Sequence, residues 1–455
     1  MNPIHLFRIY KYMKNRDKEG LKEYSKSMPS KEVSSLRIKN RFLFKVISLI
    51  YRFFIYDKKK ISKGPTIPLH FLKFYEPIKG NNAVKIYMDK NYEILKNQNN
   101  WNILNLLDKD TEGMFLAVHK TPNNRFKGFA DTLQWTCYYT ASLLKLVEAN
   151  MYVTEEELAH KELMEKTIKS MLVGIDKCIT ENAIKRHPLK SISYADQPIS
   201  QDMVSGLLQL LLTPRPEQFE KFSMLEVIQK KVKKIFLRSD YHLMYPDGTV
   251  NSYDLKPNFI YNHIKCFSYI GLRMITREYN NRDKEICKQM MRMLPLEEKS
   301  PEKRSVYGLV VAVNSIEAIV NQDRELLLDA IDWLEAEVDS TYEINPELHS
   351  VLASLYRMQG YRTKTDFYIN NVLGLLSTIA LNKEVEKNAA FFKEAADVEE
   401  VVGFRPRPPI LRQNADWFWQ RKGYVRGGVH TLETCNLIEY TNPLARVIDF
   451  VYYPD

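Results

Sequence analysis

SYADQPISQDMVSGLLQLLL, the stretch from Ser193 to Leu212, indicates the fold class, because a polar loop with two carboxylates runs directly into an apolar helix. Ser200 is placed to cap this helix, which puts Asp202 in its first turn beside unpaired backbone N–H groups. Gly206 permits a close approach to the helix backbone. The stretch predicts a helical protein with a carboxylate at the lip of a pocket, and it also fits an ordinary capped helix start.

The composition is that of a folded protein with a substantial core. Of its 455 residues, 45% are hydrophobic and 27% are charged, and these values are not those of a disordered chain. A chain of this length accommodates two or three average domains, or one large helical domain with an appendage.

Positive charge is concentrated at the N-terminus. The first 60 residues hold 16 of the 66 Lys and Arg residues but only 5 of the 56 Asp and Glu residues, so the rest of the chain is nearly neutral. We therefore expect a basic arm that contacts a protein assembly or an anionic surface. Nucleic acid is a possible partner through this arm only.

The arm contains one amphipathic segment, FLFKVISLIYRFFIY from Phe42 to Tyr56. Lys45 and Arg52 share one helical face, which is typical of a helix that lies on an anionic membrane or packs against a partner. Packing on the protein's own body is the simpler alternative. Gly64 and Pro65 break the helix, which predicts an arm over residues 1–63 and a helical domain over residues 64–455.

Several classes of protein are not indicated. Basic residues, among them Arg8 and Lys11, interrupt the N-terminus, so no signal peptide is expected, and no apolar run reaches the roughly 18 to 20 residues that cross a bilayer. The five cysteines form no CxxC, and no histidine pattern has metal-ligand spacing. We expect no metal and no cofactor, and a chain that is cytoplasmic or incorporated in a larger particle.

Helical periodicity recurs from residue 81 onward, and strand alternation is scarce. Predicted helices cover 83–96, 130–150, 155–180, 201–212, 216–238, 258–278, 283–293, 302–320, 324–338, 346–358, 364–381 and 383–396. Between them are four long, polar and aromatic connections, at residues 115–130, 187–200, 240–257 and 401–429.

If successive helices form antiparallel hairpins, alternate connections emerge at the same end, and the long ones gather on one face. In this respect residues 81–455 resemble the six-hairpin, (α/α)6-toroid superfamily of glycosidases, polysaccharide lyases and sugar epimerases. The resemblance implies an all-α fold, a toroid of about six helical hairpins with long loops on one face, preceded by the basic helical arm.

The long connections carry the residue types of saccharide sites, namely aromatic rings and planar polar groups. Asp131 and Asp202 both stand at predicted helix starts, where a carboxylate is stabilised in its charged form, so each suits a base or a hydroxyl acceptor. Asp416, beside Trp417 and Trp419, is the candidate general acid, because apolar neighbours raise a carboxyl pKa. These three aspartates are the predicted catalytic residues, and each also has an ordinary structural explanation.

Residues around these carboxylates are predicted to bind substrate. In an elimination reaction, a Tyr253 and His242 pair would abstract a proton beside a uronate, and Arg421 or Arg426 would neutralise its carboxylate. The simpler alternative is that PDG at 246–248 is a turn and that His242 and His263 cap or pack. The predicted substrate-binding set is Asp196, Gln201, His242, Tyr253, Asp254, Trp417, Trp419, Arg421 and Arg426.

Two functions follow from this sequence. The first is a carbohydrate-active enzyme, a glycoside hydrolase or polysaccharide lyase, that binds a complex or anionic polysaccharide or oligosaccharide in a cleft between the long loops. The second is a non-catalytic structural protein, for example a virion component, with the helical domain as scaffold and the arm as docking element. The two differ in whether the candidate carboxylates converge.

Overall fold

A computed structural model describes residues 132–149, 151–188, 198–255, 263–292, 306–341, 346–377 and 436–452. It also describes a few short strands and single helical positions between residues 88 and 127, and the strands at 400–401 and 425–426. All of these belong to the unit Pro65–Asp455. The predicted arm, with its segment from Phe42 to Tyr56, lies outside the described residues.

The described part of the chain is mostly helical, as predicted. Its helices are α1 (Thr132–Glu148), α2 (Glu155–Cys178), α3 (Gln201–Leu212), α4 (Pro216–Lys221), α5 (Met224–Arg238), α6 (His263–Thr276), α7 (Asn281–Arg292), α8 (Val306–Gln322), α9 (Leu327–Thr341), α10 (Pro346–Gln359), α11 (Arg362–Ser377) and α12 (Asn436–Tyr452). One turn of 3-10 helix, Arg324–Leu326, precedes α9.

Two of these assignments differ from the sequence prediction. The single helix expected over 216–238 divides into α4 and α5, because the backbone leaves the helical region at Phe222. Helix α12 was not predicted, since Pro443 lies inside it and an internal proline normally ends a helix by removing a backbone hydrogen bond. The helix predicted over 383–396 lies outside the described residues.

The start of α2 shows how local sequence fixes a helix boundary. The Thr154 side chain accepts a hydrogen bond from the backbone N–H of Glu157, and the Glu157 carboxylate accepts one from the backbone N–H of Thr154. This reciprocal capping box satisfies two of the N–H groups that a helix start leaves unpaired.

Six helices contact one another in a cycle. Helix α1 packs on α3, α3 on α6, α6 on α8, α8 on α10, α10 on α12, and α12 returns to α1. Helix α8 also contacts α3. The remaining long helices α2, α5, α7, α9 and α11 each pack against one or more members of this cycle. Along the chain, members of the cycle thus alternate with the helices that flank them.

The cycle's helices run in the same direction, as paired contacts show. Gln209 of α3 donates to the carbonyl of Asn314 in α8, and further along both helices Gln322 donates to the carbonyl of Leu212. Ser268 of α6 donates to the carbonyl at the first position of α3, and α6 approaches α3 again at a later pair, Gly271 and Leu208.

The other members follow the same direction. Asn442 and Arg446 of α12 contact Glu347 at the start of α10, and Arg446 reaches Ser350 one turn later. Past the end of α3, Arg215 forms a salt bridge with Asp449 near the end of α12.

Helix α1 is parallel to α3 as well. Gln134 lies near its start and packs against Gly206 in the first half of α3, while the carbonyl of Leu144 near its end accepts a hydrogen bond from Gln218, beyond the end of α3. The N-termini of all six helices therefore lie toward one end of the domain.

The described strands form four antiparallel pairs: β1 (Leu107–Asp108) with β2 (Met114–Phe115), β3 (His119–Lys120) with β4 (Phe126–Lys127), β5 (His242–Met244) with β6 (Val250–Asp254), and β7 (Glu400–Val401) with β8 (Val425–Arg426). The turn predicted at PDG is confirmed, because Gly248 has a φ of 88° and its N–H donates to the carbonyl of Tyr245 at 2.9 Å. The connection at 240–257 is thus largely a hairpin.

The core includes side chains of both the cycle and its flanking helices, with Trp135, Tyr138, Tyr139, Phe236 and Phe267 among the largest that are fully buried. Cys137, Cys178, Cys266 and Cys287 are buried free thiols. Within the described ranges, no helix has both the length and the apolar character needed to cross a membrane.

Replacing Gly206 with alanine tests the contact between α1 and α3. An added Cβ would lie 2.8 Å from the backbone oxygen of Gln134, which can move only if α1 moves. We expect Gly206→Ala to lower the free energy of unfolding by about 1–3 kcal/mol, as overpacking does, measured by urea denaturation. Lys234→Ala on the exposed side of α5 is the control, and an unchanged stability of Gly206→Ala would contradict the close contact.

Candidate functional site

The candidate site residues that the structure describes lie at the N-terminal end of α3 and in two antiparallel strand pairs. Gln201 and Asp202 form the first turn of α3, and both are partly exposed. His242 begins β5, and its register partner is Asp254 in β6. Tyr253 is the preceding residue of β6, and Arg426 lies in β8 opposite Glu400.

The other candidates cannot be compared with these positions. Catalytic candidates Asp131 and Asp416 lie outside the described residues, as do the predicted substrate-binding residues Asp196, Trp417, Trp419 and Arg421. The structure brings Gln201 and Asp202 together in one turn, and His242 and Asp254 together in one hairpin. Convergence of the candidate carboxylates remains a prediction.

The first turn of α3 is held through its backbone carbonyls, which accept hydrogen bonds from two serine hydroxyls. Ser200 occupies the N-cap position with an extended backbone, as predicted, but its side chain makes no capping hydrogen bond. Instead, the Ser268 hydroxyl of α6 donates to the carbonyl of Gln201 at 2.7 Å, and the Ser205 hydroxyl donates to the carbonyl of Asp202 at 2.6 Å. These bonds fix the backbone beneath the Asp202 carboxylate.

A buried polar cluster lies directly behind this turn. The Tyr138 hydroxyl of α1 is 2.5 Å from the Ser205 hydroxyl, and the Gln134 amide donates to Ser205 at 3.5 Å. Burial raises the pKa of Tyr138, and the hydrogen bonds from Ser205 and Gln134 only partly oppose this. Tyr138 is therefore a neutral hydrogen-bonding group at physiological pH, and not a phenolate base.

The close approach expected at Gly206 is present, and the neighbour is helix α1, which contacts Gly206 through Gln134 and Cys137. The close approach is between two helices, and it brings the Tyr138 and Ser205 hydroxyls together.

His242 and His263 both make capping or packing contacts in the described part of the chain, and the substrate-binding role of His242 remains a prediction. Nδ1 of His242 lies 3.0 Å from the carbonyl oxygen of Ser239. The His263 ring stacks on Trp333 with their centroids 5.7 Å apart, and its Nε2 lies 3.0 Å from the carbonyl oxygen of Met290. His242 therefore caps within its own turn, while His263 packs against α7 and α9.

The largest polar feature of the core was not predicted. Arg446 of α12 is 1% exposed and lies between two carboxylates that are equally buried, Glu317 of α8 and Glu347 of α10. Its Nε donates to both oxygens of Glu317 at 3.0 and 2.9 Å, and its Nη1 donates to Glu347 at 2.6 Å. The guanidinium therefore neutralises charge from two different helices.

Further hydrogen bonds extend this network to α3 and α1. Gln209 of α3 donates to Glu317 at 3.0 Å. Asn442 of α12 donates to Glu347 at 2.6 Å, and its own oxygen accepts from Ser142 of α1 at 2.7 Å. We call this set, completed by Asn314 and Ser350 on Arg446, the Arg446 network. It connects five of the six helices of the cycle.

Electrostatics keep the Arg446 network charged. Burial by itself would raise the pKa of Glu317, but Arg446, Lys145 and the hydrogen bond from Gln209 hold it below its usual range. Burial opposes the charge of Arg446, yet Glu317 and Glu347 raise its pKa overall. Lys145 of α1 has a pKa lowered by burial, which the nearby carboxylates partly offset.

The sequence contained only a weak signal for this network. Arg446 belongs to the unpredicted helix α12, and Glu317 and Glu347 read as ordinary helical glutamates. Glu317 does stand within the apolar run GLVVAVNSIEAIV, where an acidic residue that faces a core requires a partner. The network is buried inside the cycle, so its chemistry is structural: it fixes the register of helices.

In the described ranges, no group of three or more His, Cys, Asp or Glu residues is arranged to hold a metal ion. A separate buried ionisable group is His187, which is 1% exposed. Burial, together with the charge of Lys185, lowers the pKa of His187 to about 4.

Arg446→Met tests the network. Removing the cation leaves two buried carboxylates unpaired, and we expect the free energy of unfolding to fall by about 3–5 kcal/mol, measured by urea denaturation. Adding Glu317→Gln and Glu347→Gln removes both charges and keeps acceptors for Gln209 and Asn442. This triple variant should recover most of the loss, and a triple variant as unstable as Arg446→Met would contradict the proposed charge balance.

The lowered pKa of His187 predicts that the stability of the domain depends on pH. In the folded state this pKa is about 4, below the ordinary value near 6.5, so the unfolded chain binds the proton more tightly. The contribution of His187 to the free energy of unfolding is therefore fully present above pH ~6.5. It is lost as the pH falls toward 4, by about 3 kcal/mol in total. His187→Gln should flatten this part of the stability profile, and identical profiles for wild type and His187→Gln would contradict the assignment.

Comparison of the chain with models of known protein families, with curated proteins and with solved structures gives no match.

Proposed function

We propose that the helical domain is an (α/α)6 toroid and that it is a carbohydrate-active enzyme of the glycoside hydrolase or polysaccharide lyase type. The arrangement is supported by the cycle of six parallel helices, α1, α3, α6, α8, α10 and α12, with flanking helices alternating between them along the chain. These are the inner and outer layers expected of helical hairpins in a ring.

The observation that carries the functional proposal is the common direction of these six helices. Each of the four long connections predicted from the sequence precedes one of them: residues 115–130 precede α1, 187–200 precede α3, 240–257 precede α6 and 401–429 precede α12. Because the N-termini lie toward one end, the long connections enter the cycle from that end. They can therefore form the walls of a single cleft.

Within this proposal, Asp202 is the base or sugar-hydroxyl acceptor. It is partly exposed, it lies in the first turn of α3, and the backbone beneath it is held by Ser205 and Ser268. The general acid comes from another loop, with Asp416 as the candidate, and in an inverting hydrolase its carboxyl would lie roughly 6.5–9.5 Å from that of Asp202.

A non-catalytic scaffold is the second candidate, and one observation favours it. Polar groups behind the first turn of α3 bond to one another: Tyr138 and Gln134 bond to Ser205, and Ser205 bonds to the Asp202 carbonyl. The interior of the cycle is likewise filled by the Arg446 network. A helical ring closed in this way serves equally well as a rigid building block.

A polysaccharide panel distinguishes the two functions. The full chain is incubated with neutral and anionic polysaccharides while reducing ends and the absorbance of unsaturated products are followed, because hydrolysis gives the first signal alone and elimination gives both. We expect activity on at least one anionic substrate, and a loss of about 10²-fold or more in kcat for Asp202→Asn.

Asp329→Asn is the matched control, since Asp329 lies in the first turn of a flanking helix, α9. It should leave kcat unchanged. Absence of products across the panel, together with equal polysaccharide binding by wild type and Asp202→Asn, would favour the scaffold.

A further inference from the structure

Helices α2 and α5 lie side by side and carry a basic surface that the nearly neutral charge of the body did not predict. They are parallel, because Lys231 in the middle of α5 bonds to Asp176 of α2, and Arg238 at the end of α5 donates to the carbonyl of Glu181 just past the end of α2. These contacts join the two helices along their shared border, and Lys221 at the end of α4 forms a further salt bridge with Glu165 of α2. Their remaining lysines point away from the core.

The exposed lysines follow the helical repeat on each helix. On α2, Lys166, Lys169 and Lys177 are exposed and share one face, opposite the buried face that includes Ile168 and Met171. We define the basic face as these three lysines together with Lys230, Lys233 and Lys234 of α5.

Few carboxylates neutralise the basic face. Glu226 forms a salt bridge with Lys230 at 2.8 Å, and Glu162 is exposed among the lysines of α2. Among the described residues, Lys233 and Lys234 take part in no salt bridge. The surface is therefore distinctly positive, although it belongs to a domain that is close to neutral overall.

Aliphatic side chains are exposed among these lysines. Val227 is 41% exposed and Leu237 is 40% exposed, and both lie on the face of α5 that carries Lys230 and Lys234, at spacings of three and four residues. Lysine with aliphatic neighbours differs from the arginine and aromatic residues that stack on bases or sugars.

We propose that the basic face binds the surface of an anionic phospholipid membrane. Lysines attract the headgroup layer as flexible point charges, while Val227 and Leu237 are placed to enter its apolar border. The N-terminal 60 residues combine basic residues with an amphipathic segment, and an anionic membrane is one of the partners expected for that composition. The chain thus has two regions suited to one kind of surface.

Vesicle flotation with the full chain tests the proposal. Vesicles of phosphatidylcholine alone are compared with vesicles that also contain phosphatidylglycerol, and wild type should float only with the second. The variant with Lys166, Lys169, Lys233 and Lys234 each replaced by Gln should partition about 100-fold more weakly. Replacing Arg282, Lys288, Arg324 and Arg362 by Gln removes the same charge from other surfaces and should change partitioning less than three-fold.

A second pair of variants separates a membrane from a soluble polyanion. Val227→Ser with Leu237→Ser should weaken binding to the anionic vesicles and leave binding to heparin and to single-stranded DNA unchanged, while Val153→Ser with Leu328→Ser is the matched control. All variants retain residues 1–60, so the arm contributes equally to each. Equal flotation of the lysine variant and its control would overturn the proposal. So would tighter binding of wild type to heparin or DNA than to anionic vesicles, combined with equal flotation of wild type and the aliphatic variant.

Discussion

The ion pair system of Arg446 is the constraint on which the helical domain depends. One guanidinium lies between Glu317 and Glu347, and all three are almost completely buried. Two isolated carboxylates in such a place would be strongly unfavourable, so α8 and α10 can pack as they do only when α12 supplies the cation. The Arg446 network also fixes the register of the neighbouring helices. Gln209 of α3 bonds to Glu317, Asn442 of α12 bonds to Glu347, and Ser142 of α1 bonds to Asn442.

The fold was largely predictable where the sequence has a strong period. Helix α3 has the predicted bounds, and α2 begins at the predicted Glu155, since its capping box Thr154 to Glu157 is local chemistry. Helix α12 was not predictable from local sequence, because Pro443 lies inside it and proline normally ends a helix. The helix is stabilised by packing and by partners more than 100 residues away, such as Glu317. Long-range charge pairing has no local sequence signature.

The candidate site was predictable only in part, for a related reason. A carboxylate at a helix start can be recognised from Ser200 and Asp202 alone, but whether it faces a cleft depends on which helices lie beside it. The sequence indicated a close approach at Gly206, and the structure shows that the neighbour is helix α1, through Gln134 and Cys137. A glycine shows that something comes close, and the partner is determined by the tertiary fold. The direction of the six helices carries more functional information than any single residue.

The closure of the cycle between α1 and α12 has a consequence for the order of folding. Ser142 and Asn442, which bond across this junction, are 300 residues apart in the chain, so the cycle cannot close until most of the domain has been synthesised. Until then, Glu317 and Glu347 have been made but Arg446 has not. In an emerging chain these carboxylates would stay hydrated, and α8 and α10 would pack only loosely against each other. The native core would form in one late step, once α12 has been synthesised.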